Sequence, residues 1–268
     1  MRFWQLSAPE YASDYQQANI NGSIDWDLQF PTVDCDVCLT SWEGSRPQAY
    51  LCPESLRCEM STRDHKRSLF HSEHVKLQKK FLDELNLQGE PFLTLRPGGR
   101  FPPLQLDIPS RPRADFLWPF GAVVVSARIR DLLVDLCHQD VAIFPVNLRK
   151  VGRREAKLPT PIPRSGEPED IINEAPLLAD TSGIEPYFEV VPRQQSREHR
   201  VIESQCGACG WIKTKVIQTK KWERRMVEDH WNGERIFYWG GTLFIAVTED
   251  VKNALQAVHP SNVELIEM

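Results

Sequence analysis

Gln205-Cys206-Gly207-Ala208-Cys209-Gly210, followed by the alternating run Trp211-Ile212-Lys213-Thr214-Lys215-Val216-Ile217, is the stretch that decides how this chain folds. Two cysteines separated by two residues let a tight turn aim both sulfurs at one metal ion, with backbone amides folding under the thiolates. Gly207 and Gly210 tolerate the positive φ angles that such turns use. The alternation beyond Cys209 predicts a strand. A thioredoxin-type redox pair instead opens a helix after a strand. A knuckle beside strands therefore suits structural zinc better than thiol exchange.

A second pair, Cys35-Asp36-Val37-Cys38, lies 167 residues upstream and is followed by Leu39 where the first has glycine. Together Cys35, Cys38, Cys206 and Cys209 supply the four soft ligands of a closed tetrahedral zinc site. If the pairs meet, the metal ties the N-terminal region to the C-terminal half. Cys52 and Cys58 leave a local alternative open, a four-sulfur site of Cys35, Cys38, Cys52 and Cys58. Cys137 brings the count to seven, and an odd number fits poorly with a disulfide framework.

The composition sets the class. In 268 residues there are 32 Lys or Arg against 37 Asp or Glu, a net charge of -5, with 41% apolar residues. That is enough to build a core, and it argues against a dedicated nucleic-acid binder, which carries a net basic footprint. No apolar run approaches the roughly 18 residues of a membrane span. The opening Met1–Leu6 is interrupted by Gln5, then by Ser7, Pro9, Glu10 and Asp14, unlike a secretory signal. The expectation is a cytoplasmic protein with no membrane partner. Charge is uneven: residues 1–40 carry Arg2 against six acids, whereas residues 193–235 hold ten bases and six acids.

Periodicity predicts α+β architecture, with mixed sheets and few helices. Arg2–Leu6 reads as an opening strand. Residues 71–86 read as an amphipathic helix with Leu77, Phe81 and Leu85 on one face. Proline density predicts extended loop from Gly89 to Pro119, and a second irregular segment at about 152–183. Two segments share one grammar. Val123–Val125, Ser126, the stripe Ile129, Leu132, Leu133, Leu136, and Val141–Phe144 form the first. Phe244–Val247, Thr248, the stripe Val251, Ala254, Leu255, Val258, and Val263–Ile266 form the second. They align without a gap at a shift of 122 residues (126 to 248). Each predicts strand, hydroxyl N-cap, helix, strand, with the hydroxyl accepting from first-turn amides. Chance and relatedness of two halves both remain open as the origin of this likeness. The organisation read from this is an N-terminal half, 1–150, and a C-terminal half, 151–268, each with a Cys-x-x-Cys and a strand–helix–strand unit.

Catalytic patterns are sparse. His71-Ser72-Glu73 has the His-x-Glu form of zinc deaminases, but no Pro-Cys-x-x-Cys follows it, so the two residues read as the start of a solvated helix. Arg96-Pro97-Gly98-Gly99-Arg100 reads as a turn. The chain holds no nucleophile elbow, phosphate loop or metalloprotease helix. His199, seven residues before Cys206, reads as a polar loop residue. Eight tryptophans are many for this length, and the segment holding Trp222, Arg224, Arg225, Trp231 and Trp239 is the candidate partner-binding face.

Several of these features resemble the myxobacterial double-CXXCG paralogous family. They are Arg2-Phe3-Trp4-Gln5-Leu6, Trp26-Asp27-Leu28-Gln29-Phe30-Pro31 leading to Cys35, Leu95-Arg96-Pro97-Gly98-Gly99-Arg100-Phe101, Cys206-Gly207-Ala208-Cys209-Gly210 and the closing strand–helix–strand. Leu39 departs from the family pattern. The resemblance implies a non-catalytic immunity protein, stapled by structural zinc, that binds and neutralises a cognate protein toxin. Two other classes stay in view: a metal-dependent nucleic-acid module on the basic 193–235 stretch, and a zinc enzyme using Cys52, Cys58 or His71 at an open site.

Overall fold

A computed structural model describes residues 1–9, 23–25, 27–42, 47–62, 65–87, 97–108, 112–119, 121–150, 185–194, 200–208, 212–216, 231–239 and 243–268. The irregular segment expected at 152–183 lies outside these. Among the described residues the chain is α+β, with several small sheets and three α-helices: α1 (His71–Glu84), α2 (Ala127–Cys137) and α3 (Glu249–Ala257).

Two four-stranded sheets form the centre. The first has the order β16 (Ile236–Tyr238), β17 (Ile245–Thr248), β1 (Phe3–Ser7), β18 (Glu264–Glu267). The second has the order β9 (Phe116–Leu117), β10 (Val124–Ser126), β13 (Tyr187–Pro192), β11 (Val141–Pro145). All neighbours in both are antiparallel. The alternation of β1 sends Trp4 and Leu6 to one face and Phe3 and Gln5 to the other, as the two-residue period of a strand requires. Trp4 and Leu6 join Val125, Val190, Ile236 and Val247 in one core that draws on both sheets.

Both central helices pack into that core. Ile129, Leu133 and Cys137 of α2 and Val251 and Leu255 of α3 repeat at four-residue intervals and are buried in it. Fully burying one such side chain contributes roughly 2 kcal/mol. Ser126 and Thr248 occupy the N-cap positions as expected, but neither hydroxyl accepts from its helix. Ser126 Oγ donates to Asp115 Oδ1 at 2.9 Å, and Thr248 Oγ1 donates to Asp250. Each hydroxyl is instead held by a charge-assisted bond to a nearby carboxylate.

A third sheet packs beside the second. β12 (Asn147–Lys150), β8 (Gln105–Ile108) and β2 (Ser23–Asp25) form a three-stranded sheet. With Leu117, Val124 and Tyr187 it builds a second core around Leu104, Leu106 and Ile108. The proline-rich stretch from Gly89 to Pro119, expected to be mostly extended loop, holds two short strands, β8 and β9. The prolines sit outside these short windows, and β8 alternates half-buried with buried residues, as a sheet can use. A further core gathers Phe30, Leu69, Leu77, Phe81 and Phe101 under α1. β3 (Leu28–Gln29) and β6 (Ser61–Thr62) pair beside it.

Candidate metal centre

The first knuckle is the tip of a hairpin. β4 (Thr32–Asp34) runs into Cys35, and β5 (Ser41–Trp42) returns antiparallel with Asp34 opposite Ser41. β4 also pairs in parallel with β7 (Ser68–Leu69). Ser68 Oγ donates to Asp34 Oδ2 at 2.5 Å, and with the Ser41 hydroxyl it holds that carboxyl below the usual carboxylate range. The tip closes with the Cys35 amide donating to Thr40 O at 3.1 Å. Within it the Cys38 amide points at Cys35 Sγ, 3.5 Å away, so a backbone N–H does fold under the sulfur. Leu39 adopts φ 55° and is 86% exposed. The left-handed turn forms although no glycine is present, and Leu39 bears the strain of a Cβ there.

The second knuckle is a hairpin of the same length. β14 (Arg200–Gln205) ends at Cys206, and β15 (Ile212–Val216) returns with Gln205 opposite Ile212. Asp34 and Ser41 close the first loop as Gln205 and Ile212 close this one. Cys209 lies outside the described residues; by sequence position it corresponds to Cys38.

The two tips meet. Cys35, Cys38 and Cys206 place their sulfurs within 4.8 Å of one another, and Cys35 Sγ to Cys206 Sγ is 4.0 Å. That separation is far beyond the roughly 2.05 Å of a disulfide. It matches the about 3.8 Å between sulfurs that share a tetrahedral zinc at about 2.3 Å. Cys35 is buried, while Cys38 and Cys206 are half-buried. Three soft donors converging from sequence positions more than 160 residues apart thus fit a thiophilic metal such as zinc. No other group of three or more such ligands occurs among the described residues.

The other thiols are placed differently. Cys52 is half-buried, its thiol pushed up to about 11 by burial, and its Sγ lies 3.5 Å from Pro53 O. Cys58 is exposed on a short 3-10 turn, Glu54–Glu59. Neither joins Cys35 and Cys38, so the local four-sulfur alternative does not form. Cys137 donates to Leu133 O at 3.0 Å inside the core, and burial pushes its thiol up to about 12. His71 and Glu73 do start α1, where Glu73 Oε2 accepts from the Phe70 amide at 3.1 Å.

Of the tryptophan-rich segment, Trp222, Arg224 and Arg225 lie outside the described residues, as do Trp211 and His199. Trp231 and Trp239 are half-buried over Phe3, Phe237 and Ala246, on the face of the first sheet away from the shared core. Trp231 meets Phe3 edge-on at 5.5 Å and donates to Glu234 O at 2.6 Å. Arg235 is engaged internally, donating to Leu136 O at 2.7 Å.

The turn expected at residues 96–100 is present at Pro97-Gly98, but Arg100 itself has a further place in the fold. Its backbone bridges Gln29 and Pro47, and its side chain is buried against Glu189 at the centre of the second sheet. Nothing in the local pattern around Arg100 signals a partner 89 residues away.

No protein-family model, no curated protein and no solved structure matches this chain. No helix among the described residues is long and apolar enough to cross a membrane.

Proposed function

We propose that this chain is a non-catalytic, zinc-stapled immunity protein of the cytoplasm that binds and neutralises a cognate protein toxin. The observation that carries this reading is the convergence of Cys35, Cys38 and Cys206 from two distant hairpin tips. Cys209 is the fourth ligand. A four-thiolate zinc has no open position for water or substrate, so its role is to hold structure. Its binding energy is gained only when the hairpins are assembled, which makes the metal a fastener of the fold. The likeness in motif order to the double-CXXCG immunity proteins supplies the biological role. An inhibitor of this kind needs a rigid scaffold and a complementary face. The half-buried Trp231 and Trp239, with Trp222, Arg224 and Arg225 near them in sequence, are the residues assigned to that face.

The test is protection. The chain is expressed in a susceptible strain, which is challenged with the toxin encoded beside the chain's own gene. Survival with the parent chain, and weaker protection by a Cys206→Ala variant that accumulates less folded chain, is the expected result. Full killing despite abundant, folded, metal-loaded chain contradicts the role.

A further inference from the structure

The two central sheets match residue for residue, and the match extends beyond the strand–helix–strand segments. In the first sheet Phe3, Trp4 and Gln5 face Thr248, Val247 and Ala246. In the second, Tyr187, Phe188 and Glu189 face Ser126, Val125 and Val124. On the other side Gln5 faces Ile266 and Leu6 faces Leu265, while Glu189 faces Phe144 and Val190 faces Ile143. Every one of these partners is related by the same shift of 122 residues (126 to 248, 144 to 266). Two central strands therefore occupy equivalent slots with like residues: Phe3 and Tyr187, Trp4 and Phe188, Gln5 and Glu189, Leu6 and Val190. Gln5 and Glu189 are the polar residues at the buried centres of their strands, 2% and 1% exposed.

The joints repeat as well. Thr248 N donates to Arg235 O, and Ser126 N donates to Asp115 O. Asp115 pairs with Arg128 in one unit; in the other, Arg235 pairs with Asp250 at the matching positions, with the charges reversed. Arg128 Nη1 donates to Val258 O at the end of α3, and Arg235 Nη1 donates to Leu136 O at the end of α2. Each arginine closes the far end of the other unit's helix, where a cation is favoured. The knuckle hairpins match too, at a shift of 171 residues (35 to 206).

Chain order now becomes informative. β1, the first knuckle, β9, β10, α2 and β11 follow one another; then β13, the second knuckle, β16, β17, α3 and β18 follow in the same order. Yet β1 lies between β17 and β18, and β13 lies between β10 and β11. We infer that the chain is an internal duplication whose two units exchange their central strands and jointly build one thiolate site, with Cys35 and Cys38 from one and Cys206 from the other. A circular rearrangement of the second unit would also place β1 beside β17, but it breaks the repeated order of strand, knuckle and strand–helix–strand. Exchange keeps that order intact in both units. The partner each unit is shaped to accept is thus the strand of an equivalent unit. The metal lies at the junction as a second fastener independent of the crossed strands. The metal at that junction rests on the proposed function; the strand exchange does not.

The experiment interchanges the core-facing residues of the two strands: Trp4→Phe and Leu6→Val together with Phe188→Trp and Val190→Leu. The control permutes the same four residues within their own strands: Trp4→Leu, Leu6→Trp, Phe188→Val and Val190→Phe. The parent, the interchanged chain and the control are all melted as native, metal-loaded protein, so that the metal contributes equally to each. The interchanged chain is expected to melt within about 5 °C of the parent and above the control. An interchanged chain that melts no higher than the control overturns equivalence. Native-state hydrogen exchange on the unaltered chain reads the crossing itself, without relying on any variant. Amides of residues 4–6 are expected to open together with 245–248 and 264–267, and those of 188–191 with 124–126 and 141–144. Residues 4–6 opening with 124–126 and 141–144 instead overturn the exchange. Zinc content of the parent chain is measured separately, so failure of the metal reading is distinguishable from failure of the strand exchange.

Discussion

Arg100 Nη2 donates to Glu189 Oε1 at 2.8 Å, with both side chains almost wholly removed from water. The same guanidinium also donates to Gly121 O at 2.7 Å. This pair ties the segment that supports the first knuckle to the central strand of the second sheet. Burial pushes the Glu189 carboxyl up, and the neighbouring Arg100 pulls it back. A charge stranded here has no solvent to turn to, so removing one partner costs far more than removing both.

Arg100→Met should therefore destabilise the chain by about 3–5 kcal/mol in urea denaturation. Adding Glu189→Gln to it should recover at least half of that loss, because Gln5 already fills the equivalent position of the other sheet as a neutral residue. A double variant no more stable than Arg100→Met alone would show that the charge pair is not the unit of stabilisation.

Leu39 gives the second prediction. At φ 55° its Cβ crowds the backbone, and at 86% exposure its side chain contributes little burial in return. Leu39→Gly should raise stability by about 1 kcal/mol, measured by urea denaturation of the metal-loaded chain. An unchanged or lower stability would mean that the side chain contributes something the turn geometry does not account for.

His74 sets an acid limit. It is buried against Phe30, its Nε2 has no hydrogen-bond partner among the described residues, and its ring is held neutral down to about 4 by burial and by the charge of His71. The unfolded chain protonates the same ring at about 6.5. As the pH falls from about 6.5 to about 4, the unfolded state gains a proton that the folded state refuses. Stability therefore drops on acidification, by up to about 3 kcal/mol. His74→Leu should remove most of that slope in denaturation curves taken at several pH values across this window. Equal slopes in parent and variant would contradict it. Asp115 acts in a lower window. Burial raises its carboxyl, but hydrogen bonds from Arg128, Ser261 and Ser126 outweigh this and hold it well below the usual range. Its contribution is present above about 4 and lost only in stronger acid.

Local pattern carried the elements and little of their assembly. The stripe at Leu77, Phe81 and Leu85, the alternation of β1 and β15, and both strand–helix–strand segments are written in periods of 3.6 and 2, which need only neighbouring residues. Which strands share a sheet depends on contacts between Phe3 and Thr248, or Phe188 and Val125, that no local period encodes. The caps show the same limit. Ser126 and Thr248 stand where the pattern puts them, but their hydroxyls go to Asp115 and Asp250. At the candidate site, cysteine spacing gave the two hairpin tips. That the first pair meets Cys206 rather than Cys52 and Cys58 is a matter of how two distant hairpins are placed, which cysteine spacing does not encode.

The most direct measurement is zinc per chain, read by elemental mass spectrometry on native protein. It is made on the parent, on Cys35→Ala, on Cys206→Ala, and on Cys52→Ala combined with Cys58→Ala. A metal shared between the two hairpin tips requires about one zinc in the parent and in the Cys52/Cys58 variant, with loss of zinc and a lower melting temperature in each of the other two. Parent-level zinc in Cys35→Ala or Cys206→Ala, or its disappearance when only Cys52 and Cys58 are replaced, would contradict a metal that fastens one end of this chain to the other.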